Sequence, residues 1–333
     1  VFGWRRYMAR NVLLLHDMVS AHAPPDELDT LDQLVAVESA LHALGYETTR
    51  KPFDGDLLAL ERHLRTNRID VVFNLVETYH GSRFLHLIPL LCEQLGVPVT
   101  GGNSESLFLT SDKLLAKRLL VLAGIPTPQW VTRVNRDQWS SFLGQRLLCK
   151  PRGEEASVGI DDASVLVCDT LYELESLVER ADAEGLLVER FIDGREYNIS
   201  ILPSDGRPEV LPIAEMVFSD YPPDKPKIVG YEAKWLEDSF AYTHTVRSFG
   251  VEGNDAALAG RLHVVAEDTW RLFGGNGYAR VDLRLDGQGN VFVLELNANP
   301  CISHDSGFCA AANEAGYTYN QMIEAIVQEA LRG

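Results

Sequence analysis

Asp282, Glu295 and Asn297 are the residues whose types and spacing most directly imply chemistry. They lie on two neighbouring runs, YARVDLRLD and VFVLELNANP, joined by a Gly-Gln-Gly-Asn turn, which is the pattern of a hairpin. Residues two apart share one face of a strand, so Glu295 and Asn297 point the same way, and pairing about the turn can bring Asp282 to that face. A carboxylate inside an apolar strand is costly unless something positive meets it. Two carboxylates and an amide oxygen form a hard, all-oxygen set suited to Mg²⁺. A hydrogen-bonded turn or an ordinary ion pair is the other reading of the same spacing. Arg280, two residues before Asp282, either stabilises negative charge in a transition state or forms a salt bridge to Asp282 or Glu295.

A metal held in this way usually serves a nucleoside triphosphate, so a phosphate grip is expected elsewhere. Neither GxxxxGK(S/T) nor a strand-linked GxGxxG occurs. Lys150 instead closes a strand just before the loop PRGEEASVGI, whose amides from Ser157 to Gly159 are placed to wrap phosphate oxygens. Lys113 opens the central part of the chain, and Lys234 ends a long Pro-rich and charged segment. Each lysine taken singly reads more readily as a surface residue.

The elements that must position these groups follow from hydrophobic pattern. NVLLLHD reads as a buried parallel strand, LDQLVAVESALHALGY as a helix stopped at Gly45, IDVVFNLVE as the next strand, FLHLIPLLCEQLG as a helix and VPVTGG as a short strand. This β-α-β-α-β rhythm predicts an open parallel sheet up to about Gly102. TSDKLLAKRLLVLAGIP then predicts a capped helix, RLLCKP a strand, LYELESLVERADAEG a helix and LLVERFI a strand. REYNISIL is another strand, SDYPPDKPKIVGYEAKW a long irregular loop of the kind that forms lids, and YNQMIEAIVQEALR a closing helix.

The bulk numbers agree with a soluble multidomain protein. The chain has 333 residues, enough for two or three domains, and a formal net charge of −18. That charge shows no basic face for nucleic acid and is a matter of solubility. No apolar run approaches the length of a membrane span. The five cysteines show no metal-ligand spacing, and Cys92, Cys149 and Cys168, in apolar runs, read as buried thiols of a reducing, cytoplasmic compartment. Met8 reads as the natural start, with the first seven residues a leader or remnant; an ordered N-terminal arm is the alternative.

SDKLLAKRLLVLAGIPTP, CKPRGEEASVGI, LVERFIDGREYNISIL, YEAKW, YARVDLRLD and VLELNANP occur in an order that resembles the ATP-grasp ligases, most closely their D-alanine–D-alanine ligase branch. The resemblance runs from about Val71 onward, and ELNANP after RVD is its most specific part. It implies an α/β fold of three domains: an N-terminal open parallel sheet (8–102), then a central (103–190) and a C-terminal (191–333) ATP-grasp unit that clasp ATP, with a mobile loop at 219–235. It implies ATP and two Mg²⁺ ions, for which Mn²⁺ can substitute, small-molecule carboxylate and amine substrates, and a homodimer. The implied chemistry is phosphorylation of a carboxylate by ATP and attack of an amine on the acyl phosphate, with release of ADP and phosphate.

By this resemblance Asp282, Glu295 and Asn297 match the metal ligands, and Lys113 and Lys150 the nucleotide-phosphate lysines. Glu189 and Ile192 match the adenine edge, Glu196 the ribose glutamate, and Lys234 the loop lysine at the γ-phosphate. Arg280 matches the arginine that steadies the acyl phosphate and tetrahedral intermediate. Ser157 keeps one of two loop serines, and Glu27 falls where a glutamate holds the first substrate's amino group. The departures are Ala156 for the other serine, Trp235 for a tyrosine, HGSRFLH for His-Gly-Glu-Asp-Gly, Cys301 for a glycine, and Ser306-Gly307 for Ser-Leu. The resemblance therefore implies retained ATP and metal machinery with both amino-acid pockets rebuilt. A true D-alanine–D-alanine ligase is the second reading, and a nucleotide-binding regulatory protein without turnover the third.

Overall fold

In the computed structural model, which describes residues 10–20, 22–154, 156–204 and 206–332, three sheets meet around one cleft. Residues 1–9, including Met8 and the arginine-rich opening, lie outside the described residues. The chain begins with β1 (Asn11–Asp17), α1 (Pro25–Ala43), β2 (Glu47–Phe53), α2 (Leu57–Thr66), β3 (Val71–Leu75), α3 (Leu87–Leu95), α4 (Ser104–Ser111) and α5 (Lys113–Leu122). The three strands form a parallel sheet in the order β2-β1-β3. The VPVTGG run contributes only one bridge, Val99 to Val72, and the strand that completes the sheet is β2, ETTRKPF. Its charged, mostly exposed pattern hides it from a hydrophobicity reading, because it is an edge with little to bury.

Both faces of β1 are covered, which is why its VLLL run is apolar throughout. Val12 and Leu14 pack with Leu34 and Val37 of α1, while Leu13 and Leu15 pack with Leu60 of α2 and Ile88 of α3. Asp112 caps α5 by accepting from the amides of Leu114 and Leu115, as the Thr-Ser-Asp run suggests.

A second sheet follows, from β4 (Trp130–Val131), β5 (Arg146–Pro151), β6 (Val165–Val167), α6 (Leu171–Glu184) and β7 (Leu186–Arg190), antiparallel in the order β4-β7-β5-β6. Thr170 and Glu173 form a capping box for α6, and Gly185 ends it in the left-handed conformation.

The third sheet is six-stranded. It comprises β8 (Gly194–Ser204), β9 (Arg207–Val210), β10 (Ala214–Phe218), β11 (Thr245–Ser248), β12 (Ala279–Asp286) and β13 (Val291–Asn297), in the order β11-β10-β8-β12-β13 with β9 paired to β8. Between β10 and β11 the irregular segment ends in a short helix, α7 (Tyr231–Trp235), followed by α8 (Phe240–His244). After β11 come α9 (Val251–Asn254) and α10 (Ala256–Leu272); α10 lies against the sheet through Leu262, Ala266 and Trp270 and escaped the sequence reading. Finally α11 (Gly307–Glu314) and α12 (Tyr319–Ala330) return to the first sheet, where Met322, Ile323 and Ile326 share a core with Val12 and Phe73. Among the described residues no helix is long and apolar enough to cross a membrane, and all five cysteines are free thiols.

One seam joins the first unit to the end of the β12–β13 hairpin. Gly102 N–H donates to the Ala298 carbonyl at 2.7 Å, and Asn299 Nδ2 donates to the Asn74 carbonyl at 3.2 Å. Gly277 sits at φ +66°, and a Cβ there would meet the Gly101 carbonyl oxygen at 2.1 Å. Gly277→Ala is therefore expected to cost about 3 kcal/mol or more of folding stability, combining backbone strain with overlap against main chain. Chemical denaturation measures it, and a loss below about 1 kcal/mol would show that the seam yields.

Candidate active site

The hairpin pairs Asp282 with Glu295 and Arg280 with Asn297, and its register shifts just past Asp282, so that Leu283 faces Val293. Such a bulge re-aims side chains at a sheet's functional end. Arg280 grips Asp282 through both oxygens, Nε to Oδ1 at 2.7 Å and Nη2 to Oδ2 at 2.9 Å. Asn198 Nδ2 donates to Asp282 Oδ1 at 2.8 Å, and Asn297 Nδ2 to Oδ2 at 3.3 Å.

Glu295 collects cations from several elements. Lys113 Nζ, at the start of α5, lies 3.4 Å from its Oε2. Burial pushes the Glu295 carboxyl up, but Lys113, Lys150, Lys234 and Arg280 together outweigh burial and hold it well below the usual carboxylate range. In this structure the countercharge of the buried carboxylates is thus supplied by basic side chains. The ion-pair reading of Arg280 holds, and it coexists with the oxygen set. Among the described residues no group of three or more His, Cys, Asp or Glu is arranged for a metal. Two carboxylates with the Asn297 amide still supply hard oxygen donors of the type a small divalent cation takes.

A cavity of about 1000 Å³ runs past this cluster, lined among others by Lys150, Glu189, Ile192, Glu196, Lys234, Arg280, Asp282, Glu295 and Asn297. Lys150 and Glu189 face each other on β5 and β7, with Nζ 2.7 Å from Oε1. Burial pushes Lys150 down, and Glu189 and Glu295 outweigh it, so its ammonium is held charged. The other Glu189 oxygen takes Lys117 Nζ at 2.5 Å, and Lys117 also donates to Thr127 Oγ1 at 2.7 Å. Lys117, 1% exposed, is pushed down to about 8 by burial. Sequence reading missed it, although it stands one helical turn beyond Lys113.

The loop after β5 has the expected irregular form. Ala156, Ser157 and Gly159 have φ of 54°, 63° and 74°, left-handed values that non-glycine residues seldom adopt. The segment before α7 closes over this loop. Ser157 Oγ donates to the Val229 carbonyl at 2.7 Å, Tyr231 N–H to the Ile160 carbonyl at 2.9 Å, and Trp235 Nε1 to the Ala156 carbonyl at 3.0 Å. The indole thus bonds the backbone of the residue whose hydroxyl is missing.

Glu27 lines the cavity from α1, but the α7 hydroxyl goes to its neighbour: Tyr231 Oη donates to Asp26 Oδ1 at 2.6 Å. Asp17, Asp29 and Cys301 join them at this end of the cavity, with Cys301 Sγ donating to Asp29 Oδ2 at 2.9 Å. Burial, with Glu77 and Asp29 nearby, pushes the Cys301 thiol well above its ordinary value. Asp17 is pushed up by burial to about 6, opposed by the Glu77 and Thr78 amides that it accepts. These acids left little trace in the sequence, because each sits at the end of an element with no motif around it.

A family model described as "D-ala D-ala ligase C-terminus" matches residues 119–328. An uncharacterized protein, y4sG, of Sinorhizobium fredii is 33% identical over 305 residues, covering 89% of this chain and 87% of its own. The D-alanine--D-alanine ligase of a Marinomonas species is 29% identical over 300 residues, covering 88% of each. Among solved structures, D-alanine--D-alanine ligase from Bacillus anthracis complexed with ATP superposes with a TM-score of 0.73 at 22% identity, covering 97% of this chain and 98% of the other. VanG D-Ala:D-Ser ligase from Enterococcus faecalis gives 0.70 at 19%, covering 97% and 100%. These structural likenesses establish the fold.

Two outcomes are expected from this geometry. Glu295→Gln removes an anion on which four cations converge, so the variant should lose stability, Asp282 remaining as their counter-charge, and the folded variant should lose ATP-dependent turnover. Near wild-type turnover of the purified variant would contradict the assignment. Asp17→Asn tests the buried carboxylate. Folding raises its pKa from 3.8 to about 6, so its contribution to stability is complete below the lower value and is lost as pH rises through the upper one. The substitution should therefore add roughly 3 kcal/mol at pH ~8 and well under 1 kcal/mol at pH ~4, read by denaturation at both. An equal gain at both pH values would show that Asp17 does not titrate this way.

Proposed function

The chain belongs to the D-Ala–D-Ala ligase family and has its ATP-grasp fold, and on that premise we propose that it is an ATP-dependent ligase joining a carboxylate to an amine through an acyl phosphate. The observation that carries this reading is the meeting of Arg280 and Lys234 with Asp282, Glu295 and Asn297 in one cavity that also holds Lys150. A protein that only bound a nucleotide would not need Arg280 beside the metal-type oxygens. Two anions, a carboxylate and a triphosphate, approach one another only where their charge is neutralised.

The steps balance without further reactants. A carboxylate oxygen of the first substrate attacks the γ-phosphorus, and ADP leaves. The amine nitrogen of the second substrate then attacks the acyl carbon, phosphate departs with that carboxylate oxygen, and the proton shed by the nitrogen leaves with the phosphate. Lys113 and Lys150 hold phosphate oxygens, Lys234 faces the γ-phosphate, and Arg280 stabilises the acyl phosphate and the tetrahedral intermediate. Asp282, Glu295 and Asn297 would hold Mg²⁺, which supplies additional charge neutralisation when bound. Glu196 serves the ribose, and Ile192 and Glu189 border the base. Ser157 secures the closed lid through Val229, and Glu27, with Asp26 beside it, faces the amino group of the first substrate. Closure of 219–235 excludes water from the acyl phosphate.

The domain division at 8–102, 103–190 and 191–333, a homodimeric state and a cytoplasmic location belong to this proposal. The five free thiols support the last.

The substrates differ from two D-alanines in this reading. Ala156 and Trp235 remove two hydroxyls, Tyr231 is tied to Asp26, and Cys301 is bonded to Asp29. Losing hydrogen-bond partners for a buried polar group costs about 1–3 kcal/mol each. D-Alanine alone should therefore support little ADP release, whereas a screen of amino-acid pairs should find a pair that releases ADP with a ligated product identified by mass. Efficient D-alanyl-D-alanine formation below ~1 mM substrate would establish the second reading, a true D-alanine–D-alanine ligase. ATP binding without amine-dependent phosphate release from any pair would overturn the ligase assignment.

A further inference from the structure

Arg284 lies on β12 four residues beyond Arg280, on the face that carries Asp282. It is 3% exposed and lines the cavity. Its guanidinium carbon is 5.0 Å from the centre of the Phe191 ring and 5.9 Å from that of Phe218. Nη1 donates to the Ile192 carbonyl at 2.8 Å, and Nε and Nη2 donate to Glu196 Oε2 at 3.1 and 2.5 Å. Nη2 also donates to the carbonyl of Lys227, which belongs to the lid.

One buried guanidinium therefore joins three pieces: the segment after β7 that borders the base, the glutamate of β8 that serves the ribose, and the lid. Only arginine's planar fork reaches three acceptors in this way. A buried N–H left without an acceptor is costly, so the Lys227 carbonyl is a favourable stopping point for the lid once Glu196 and Ile192 have fixed the fork. Both Glu196 bonds fall on Oε2, which leaves Oε1 to accept from a ligand hydroxyl.

We propose that Arg284 is a positioning residue that couples the nucleotide seat to lid closure. The inference rests on the reading of the cavity as an ATP site. Without Arg284, Glu196 loses the partner that orients it, and the lid loses its anchor at Lys227.

The test uses the full chain and two readouts that need no turnover: the Kd for ATP with Mg²⁺, and the rate of limited proteolysis within 219–235 at saturating ATP. Arg284→Met keeps an apolar body between the two rings but removes every donor. ATP affinity should fall about tenfold or more, the loss expected for a charge-assisted hydrogen bond, and the lid should be cut several-fold faster than in wild type even when ATP saturates. Arg284→Lys restores a charge opposite Glu196 without the fork. It should recover most of the ATP affinity while lid cleavage stays fast, a split that a merely structural role would not produce. Wild-type affinity and lid protection in Arg284→Met would overturn the proposal; if that variant fails to fold, wild-type protection in Arg284→Lys would do so. Wild-type protein that does not bind ATP refutes the nucleotide reading itself, and with it the coupling.

Discussion

Four cations from different parts of the chain converge on the Glu295 carboxylate: Lys113 from α5, Lys150 from β5, Lys234 from α7 and Arg280 from β12. Brought together without an anion, these groups repel one another; Lys234, already disfavoured by burial, is pushed down further by Arg280. Glu295 and Asp282 are what make their approach tolerable. The central sheet, the segment ending in α7 and the C-terminal sheet are thereby drawn around one point, and the cleft between them is the space left over. A ligand with several negative charges fits that electrostatic arrangement because it offers the cations further partners.

The same economy of charge runs through the rest of the cavity. Glu189 holds Lys150 on one oxygen and Lys117 on the other, and Glu196 holds Arg284. These buried charges at one end of the cavity thus have opposites within reach, the condition for burying charge at all. The other end differs. Asp17, Asp26 and Asp29 accept from neutral groups, namely amides, a phenol and a thiol. The cavity is therefore cation-rich around Glu295 and Glu189 and carboxylate-rich toward α1.

What the sequence disclosed follows from how local each signal is. The Asp282, Glu295 and Asn297 set was legible because a hairpin with period-two alternation fixes which side chains share a face. The helix α5 was legible from its cap residues, α6 and α12 from their apolar pattern, and the irregular segment before α7 from its prolines and charges. The edge strand β2 was not, since an exposed edge carries no apolar pattern. The Tyr231–Asp26 bond spans 205 positions and the Arg284–Lys227 contact spans 57. No spacing rule reaches across such separations. Asp26 and Glu27 are adjacent on α1, and only the packing of α7 distinguishes the one that meets Tyr231. Cys301 stood out as a departure, but its tie to Asp29 depends on the return of the chain to the first sheet.

The account's central claim is that this charge cluster serves transfer of a phosphoryl group to a carboxylate. Isotopic labelling of the carboxylate oxygens tests that most directly: amino acids labelled in the carboxylate are supplied with ATP, and the released phosphate is analysed by mass. The account predicts one labelled oxygen in each phosphate formed, with ADP as the other product. Phosphate that carries no label, with the same amount of ligated product, would contradict it, because the carboxylate would then have been activated by some route other than an acyl phosphate.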